Sequence, residues 1–291
     1  MFEIDGCELA AQWLGGCDPK HFPGGKVMVV ADGQRIPGQV TSPLSQEERD
    51  GRSRTFTIRV RKPLPKQDGV FGYWNLTPVE IVGDLIRTKG ADNLASCAAV
   101  LAALDRVRQQ KAETDLWGVF TRAEEVGLLG AAGIVDARTV PKRVPLVVLE
   151  TSRALPGAQI GKGAVIRVGD ALSVFDPRVE YAIHAVARAL RTKDRGFVFQ
   201  RQLMSGGTCE ASLYTLHGFT VGALAFPLGN YHNQGKRWPA EEYISVADTD
   251  SMIKLCTAIA LNPPSGETRT PMKKRFINSF KSRKNRLLKK V

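Results

Sequence analysis

The strongest constraint on the fold is a change of pattern near residue 90. Beyond it, short apolar segments alternate with stretches in which apolar residues recur every three to four positions. Such alternation predicts an α/β domain with a mixed, largely parallel sheet flanked by helices. The predicted strands are 116–121, 146–150, 164–168, 197–200 and 219–226. The first predicted helix starts near Asn93 and carries on one face Cys97, Val100, Leu101, Leu104 and Val107. A second starts near Gly127, and three more cover 182–190, 208–216 and 252–259.

The first 85 residues have a different character. Residues 27–30 and 35–36 form short apolar runs around an Asp-Gly turn, and residues 55–61 alternate polar and apolar side chains. These patterns predict half-buried strands, whereas the polar stretch 42–54 predicts a loop. The sequence therefore predicts a small β-rich domain over residues 1–85, an α/β domain over 86–265 and a basic tail over 266–291.

Composition excludes several classes of protein. No run of 18 apolar residues is present, and the N-terminus carries acids rather than the basic region of a secretory signal. The five cysteines are scattered and form no CxxC pair, which favours a reduced, cytoplasmic protein. The net charge is +12, but ten Lys or Arg and no acid fall within residues 268–291. The other 267 residues therefore carry only +2.

Two interpretations of the basic tail stay open. It is either a disordered solubilising segment or an amphipathic helix for an anionic membrane or a nucleic acid. In a helix, Phe276, Phe280 and Leu287 would share one face.

Acidic residues and one histidine follow the predicted strands. Glu124 and Glu125 come after the run 116–120, Glu150 ends the run 147–149, and His232 follows 219–226. Ligand sites in α/β sheets lie at the carboxyl ends of the strands, so these groups are expected to converge there with Asp92. Such a set suits a two-metal hydrolase site. The alternatives are an N-cap role for Asp92, a solvated pair for Glu124 and Glu125, and a hydrogen-bonded loop histidine at position 232.

The order of these residues resembles the co-catalytic zinc aminopeptidases, which include the glutamyl, deblocking and tetrahedral aminopeptidases. The resemblance covers roughly residues 12–262, and the spacing of its segments is more specific than any one of them. Those segments are LGGCDPKHFPGGKVMVV, RIPGQVTSPL, GADNLASCAAVLAAL, FTRAEEVGLLGA, VVLETSRALPGAQIGKGAVIRVGD, SGGTCEASLYTLHGFTVGALAFPLGNYHNQG and EEYISVADTDSMIKL. The resemblance implies that the β-rich domain is inserted into the catalytic domain and makes oligomer contacts.

The resemblance also implies roles for single residues. Asp92 matches the bridging ligand, Glu124 the general base, and Glu125 with His232 the other ligands of one metal. Glu150 matches a ligand of the second metal, where the family more often has Asp. The implied cofactor is a divalent metal, zinc or else cobalt or manganese, with up to two ions per chain. The family's Gly-Gly-Thr-Asp turn ends here in Cys209, so a thiol stands in place of the acid.

One part of the family pattern is missing. The family carries a His-x-Asp motif before the β-rich domain, and none occurs in these 291 residues. The site shared by Asp92 and Glu150 is therefore expected to be incomplete. Either Met1 is not the natural start, or the protein is a natural short form.

Two functions follow. The first is a metal-dependent aminopeptidase that hydrolyses short peptides through a metal-activated water. The second is a catalytically impaired, non-enzymatic oligomeric module of the same fold. Both functions predict that the chain associates with other copies of itself. The basic tail over residues 268–291 is a candidate for contact with anionic surfaces under either function.

Overall fold

The fold is known from a computed structural model, which describes residues 3–45, 54–64, 69–263 and 270–287. The predicted loop 42–54 falls largely outside these residues, as do the two ends of the predicted basic tail.

Six strands of the N-terminal segment form one antiparallel sheet. They are β1 (Glu3–Asp5), β2 (Glu8–Gln12), β3 (Lys26–Ala31), β4 (Gln34–Val40), β5 (Thr55–Val60) and β6 (Phe71–Trp74). Their order across the sheet is β1-β2-β5-β4-β3-β6. The predicted strands at 27–30, 35–36 and 55–61 are thereby confirmed. The boundary of this domain at residue 85 stays a prediction.

This sheet encloses an aromatic core of its own. The rings of Trp13 and Phe22 meet edge to face at 4.9 Å, and those of Phe22 and Phe56 at 5.1 Å. In β3 and β5 alternate residues are buried, as expected of strands with one face on a core. The β-rich segment therefore has a hydrophobic core separate from that of the following residues.

The remainder of the chain alternates strands and helices. Its strands are β7 (Val79–Val82), β8 (Leu85–Thr88), β9 (Leu146–Arg153), β10 (Ala164–Gly169), β11 (Phe199–Leu203), β12 (Val221–Leu228) and β13 (Glu242–Ser245). Its helices are α1 (Ala91–Gln109), α2 (Leu129–Ala137), α3 (Pro177–Lys193), α4 (Glu210–Leu216), α5 (Val246–Leu261) and α6 (Thr270–Leu287). The larger sheet has the order β11-β10-β12-β9, and β13-β8-β7 form a small antiparallel sheet.

Helices cover both faces of the larger sheet. All eight residues of β12 are buried. Leu224 and Phe226 pack with residues of α1, α3 and α5, whereas Val221 and Ala223 pack with residues of α2 and α4. Two strand pairs are parallel, β9 with β12 and β10 with β11, and β10 with β12 is antiparallel. The predicted mixed α/β fold class is therefore confirmed.

The predicted strand at 116–121 is wrong. Residues 112–121 form no helix or strand, and Trp117 and Phe120 are exposed. An apolar run becomes a strand only when a neighbour pairs with its backbone, and within the described ranges no strand pairs with this one. Glu124 and Glu125 consequently follow an irregular segment and lie in a short 3₁₀ turn, Glu124–Val126.

Smaller differences concern the helix faces and strand ends. The face of α1 that is fully buried carries Ser96, Ala99, Ala103 and Val107, whereas Leu101 is exposed. Small residues there allow α1 to approach β9 and α5 closely. The strand predicted at 197–200 begins only at Phe199.

The described part of α6 lies apart from these cores, since every described side chain over residues 274–284 is exposed. Among the described helices, none combines the length and the apolar character that a membrane crossing requires.

Candidate metal centre

A cavity of 390 Å³ opens where β9 and β12 end. Four carboxyl groups predicted from sequence line it, together with His232 and two arginines, Arg153 and Arg167. The predicted residues are Asp92, Glu124, Glu125, Glu150 and His232. All five therefore face one space, although they lie up to 140 positions apart along the chain.

Different elements deliver these side chains. Asp92 is at the start of α1, directly after β8, and Glu124 and Glu125 lie in the 3₁₀ turn before α2. Glu150 belongs to β9. His232 lies in a 3₁₀ turn after β12, with the left-handed φ of 56° that a sharp reversal of the chain requires.

Three of these groups form a tight cluster. Ligand atoms of Asp92, Glu125 and His232 all lie within 4.8 Å of one another. His232 Nε2 is 3.8 Å from Asp92 Oδ2 and 3.9 Å from Glu125 Oε2. The Asp92 side chain is 8% exposed and that of Glu125 49% exposed, so the cluster spans the inner wall and the mouth of the cavity.

Burial governs the protonation of the cluster. It raises the pKa of Asp92 to about 6, with the nearby Glu125 charge adding to the effect. It also raises the pKa of Glu125. For His232, burial lowers the pKa and outweighs the attraction of Asp92, so the ring is neutral at pH 7. A neutral imidazole has a free lone pair and can act as a metal ligand.

The other ring nitrogen of His232, Nδ1, faces Gly16 of the β-rich segment. A β-carbon placed on Gly16 would lie 2.7 Å from His232 Nδ1, so any larger residue there would require the ring to move. A hydrogen bond between the ring and the Gly16 backbone also acts to raise the pKa of His232. Holding Nδ1 in this way leaves Nε2 directed at Asp92 and Glu125, which is how proteins commonly orient a metal-binding histidine.

Glu124 lies next to the cluster and is half-buried. Burial raises its pKa to about 7, and the charges of Glu125, Asp92 and Glu210 act in the same direction. A carboxyl group with a pKa near the working pH is suited to accept and release a proton.

Glu150 stands apart from the three-residue cluster. It is buried, and its Oε1 accepts a hydrogen bond of 3.2 Å from Asn93 Nδ2. Burial raises its pKa well above the usual range, although the Arg167 charge opposes this. Arg167 is itself buried, and its Nη1 lies 3.3 Å from Ser152 Oγ. Its Nε has no hydrogen-bond partner among the described residues.

Sequence reasoning missed Glu242 of β13. This buried carboxylate accepts a hydrogen bond of 2.9 Å from the backbone N–H of Asp92, and the backbone N–H of Asn233 is a second donor. Burial raises the pKa of Glu242 to about 7. Glu242 thus ties the segment that carries Asp92 to the turn that carries His232. An acid in the short strand run Glu242–Ser245 is the only sequence signal for it.

Cys209 stands where the turn of the resembled family carries an aspartate, but its thiol is not ionised. Burial raises the pKa of its thiol to about 12. The group is therefore a neutral thiol at the cavity wall, and only the thiolate is a good metal ligand.

The donor set fits a divalent metal ion. Two carboxylate oxygens and one neutral imidazole nitrogen are the ligand types of catalytic zinc sites, which keep a further position open. Negatively charged groups gathered in a buried space also need a compensating charge. Arg167 supplies one positive charge to the inner wall, and an ion at the cluster would supply the rest.

The chain also matches a family of known proteins. The M42 glutamyl aminopeptidase family matches residues 66–255, which is more than half of the chain. The chain belongs to the M42 glutamyl aminopeptidase family. The resemblance found in the sequence is thereby confirmed.

Individual relatives are more distant. A curated relative from Acetivibrio thermocellus that carries the name of an aminopeptidase is 27% identical over 181 residues, which are 60% of this chain. The match spans 50% of that relative, so the chain corresponds to about half its length.

Two solved structures show the same fold. A TET aminopeptidase from Thaumarchaeota archaeon SCGC AB-539-E09 superposes with a TM-score of 0.74 at 18% identity, covering 92% of this chain and 80% of that one. The TET1 peptidase of Pyrococcus horikoshii superposes with a TM-score of 0.69 at 21% identity, covering 89% of this chain and 79% of that one.

Proposed function

We propose that this M42 family member is a metal-dependent aminopeptidase that acts on short peptides. The observation that supports it best is the convergence of Asp92, Glu125 and His232 beside Glu124 in one cavity. We assign the three clustered groups as metal ligands and Glu124 as the general base. Zinc is the proposed ion, with cobalt and manganese as alternatives.

The residues of the chain would divide the work of peptide hydrolysis. A divalent ion, when bound, supplies Lewis acidity that lowers the pKa of water and polarises a carbonyl group. Glu124 accepts the proton of the attacking water and donates it to the leaving amine. Its pKa of about 7 allows both transfers near neutral pH.

The charge of the cavity favours a substrate with a free amino terminus. Four carboxyl groups line the cavity against two arginines, Arg153 and Arg167. A peptide α-ammonium group placed there would favour the ionised form of the nearby carboxyl groups and be attracted to them, whereas an internal peptide bond offers no such charge. This argues for an aminopeptidase rather than an endopeptidase.

The decisive experiment compares Glu124→Gln with the wild type. Hydrolysis of aminoacyl amides and short peptides is measured with zinc, cobalt or manganese, and metal content is determined in parallel. We expect the variant to lose about 100- to 10,000-fold in kcat, because general-base catalysis contributes about that factor, while metal content is unchanged. Equal activity of the two proteins would remove Glu124 as the base.

A catalytically impaired module of the same fold is the second candidate. The state of the second site favours it, because among the described residues only Asp92, Glu125 and His232 form a group that could hold an ion, and Glu150 has no second such group around it. This alternative predicts at most one ion per chain and no turnover with any of the three metals.

We also propose that the chain forms a homo-oligomer. The P. horikoshii TET1 peptidase is described as assembling into a tetrahedron or a large octahedral shell, and the fold is shared. Light scattering after size-exclusion chromatography tests this, and a monomer at micromolar concentration would contradict it.

A further inference from the structure

Helix α6 is a feature that the proposed function does not use. Over Thr270–Leu287 it contains seven Lys or Arg and no Asp or Glu. Every described side chain from residue 274 to 284 is exposed. A stable helix in a globular domain normally buries an apolar face, and the described part of α6 buries none against the hydrophobic cores of the chain.

The exposed side chains include large apolar ones. Phe276 is 66% exposed, Ile277 54% and Phe280 56%. Phe276 and Phe280 are four positions apart, and Ile277 and Phe280 are three apart, so the three lie together on one side of the helix. Lys284 follows Phe280 by four positions and lies on the same side, and its long stem can lie along apolar surface while the charged end stays in water.

We propose that α6 docks on the surface of a lipid bilayer that exposes anionic phospholipid headgroups. Charge complementarity and the apolar cluster argue for this partner together. The seven cations attract anionic headgroups, and the two phenylalanines and the isoleucine enter the boundary between headgroups and acyl chains. The helix is about 27 Å long at about 1.5 Å per residue and lies along the surface, because its charges exclude it from the hydrocarbon.

Two other partners fit less well. Contact with a second copy of α6 would bring seven positive charges against seven more. A nucleic acid would neutralise the cations through its phosphates, but it would leave the apolar cluster in water. The apolar side chains therefore distinguish a bilayer from a nucleic acid.

The experiment measures binding of the full chain to sedimented vesicles of phosphatidylcholine, with and without phosphatidylglycerol, at low salt. Phe276→Ser/Phe280→Ser removes the apolar cluster and keeps every charge. Lys274→Gln/Lys281→Gln/Lys284→Gln removes three charges and keeps the cluster. Leu172→Ser/Leu216→Ser is the matched control, because it removes two exposed apolar side chains elsewhere.

We expect binding to the anionic vesicles and much weaker binding to the neutral ones. The phenylalanine variant should lose about tenfold or more in affinity. The lysine variant should lose about a hundredfold, since each basic residue near an anionic surface contributes about fivefold. The leucine control should bind like the wild type, and all variants should keep the wild-type helix content in circular dichroism.

A second measurement reports insertion directly. In Phe280→Trp the new indole should show a blue-shifted emission when anionic vesicles are added. Absence of vesicle binding, or a phenylalanine variant that binds as well as the wild type, would overturn the proposal. Tighter binding to a duplex DNA than to the anionic vesicles would also overturn it and assign α6 to nucleic acid.

Discussion

At the scale of single residues, Gly16 has an unexpected importance for the candidate metal centre. It belongs to the β-rich segment, yet the ring of His232 takes the space of a side chain at this position. A β-carbon on Gly16 would lie 2.7 Å from Nδ1 and 2.8 Å from Cε1 of that ring. The ring is also hydrogen-bonded to the Gly16 backbone. The orientation of the imidazole therefore depends on a residue more than 200 positions away.

Gly16→Ala should weaken metal binding. The added methyl group must displace the ring of His232 and turn Nε2 away from Asp92 and Glu125. Disturbing the partner of a ligand histidine typically costs about 10- to 100-fold in metal affinity, and we expect a loss in that range. Isothermal titration of the metal-free protein with zinc measures it.

The matched control is Gly133→Ala, in the interior of α2. A β-carbon at Gly133 meets no described atom within 4 Å, and alanine is the better helix former. This variant should bind zinc like the wild type. If Gly16→Ala also binds zinc with unchanged affinity, the interaction of Gly16 with the His232 ring does not position the ligand.

Residue patterns revealed only part of this centre. The five predicted residues could be proposed because acids and a histidine after apolar runs are unusual and their order resembles a family. Gly16 and Glu242 could not, because their roles depend on contacts with residues 216 and 150 positions away. Nothing in the local sequence of a glycine reports which side chain will fill the space beside it.

At the scale of elements, Asp170 connects the end of β10 to the start of α4. Its buried carboxylate accepts hydrogen bonds from the backbone N–H groups of Leu172, Ser173 and Cys209 and from the hydroxyl of Ser212. Burial acts to raise the pKa of Asp170, but these hydrogen bonds outweigh it and lower the pKa. The ionised form therefore stabilises the junction of the two elements.

Asp170→Asn should lower the free energy of unfolding at neutral pH by about 1–3 kcal/mol, because an amide leaves some of these buried donors unpaired. The pKa is lower in the folded protein than in the unfolded chain. The stabilisation by Asp170 is thus complete above the unfolded value of about 3.9 and is lost as pH falls through the folded value. Urea unfolding at neutral and acidic pH measures both effects.

Asp105→Asn is the control for that substitution. Asp105 is exposed on α1 and pairs with Arg108 at the surface, so its replacement should change the free energy of unfolding by about 0.5 kcal/mol or less. A stability difference between Asp170→Asn and the wild type that stays constant from neutral to acidic pH would show that the charge of Asp170 is not what stabilises the junction.

Elements differed in how well their sequences predicted them. Strand β12 was predicted because eight buried residues make a continuous apolar run. The run 116–121 has the same apolar character but forms no strand, since strand formation depends on a pairing partner that a local pattern cannot reveal. Strands β7, β8 and β13 were not predicted, and none of the three shows the regular alternation of buried and exposed residues that marks a half-buried strand.

At the scale of the whole molecule, the candidate centre joins parts of the chain that are otherwise separate. The β-rich segment contributes Gly16, α1 contributes Asp92, the turn before α2 contributes Glu125, and the turn after β12 contributes His232. Family membership and the fold class followed from the order of the sequence segments. The meeting of Gly16 from the β-rich segment with the acidic residues and His232 at one cavity required the three-dimensional structure.

A bound divalent ion should therefore stabilise the molecule as a whole. A ligand that binds only the folded state adds about 2.7 kcal/mol at a concentration about 100 times its Kd. We expect the thermal midpoint of the wild type to rise on adding zinc and to return on adding a chelator.

Asp92→Asn should abolish most of the rise, because it weakens one of three ligands. Glu150→Gln should retain it, since Glu150 lies outside the cluster. Differential scanning calorimetry measures all three proteins. A rise that survives in Asp92→Asn but disappears in Glu150→Gln would place the ion deeper in the cavity, beside Arg167 and Asn93, and would contradict the assignment of the three-residue cluster as the principal metal site.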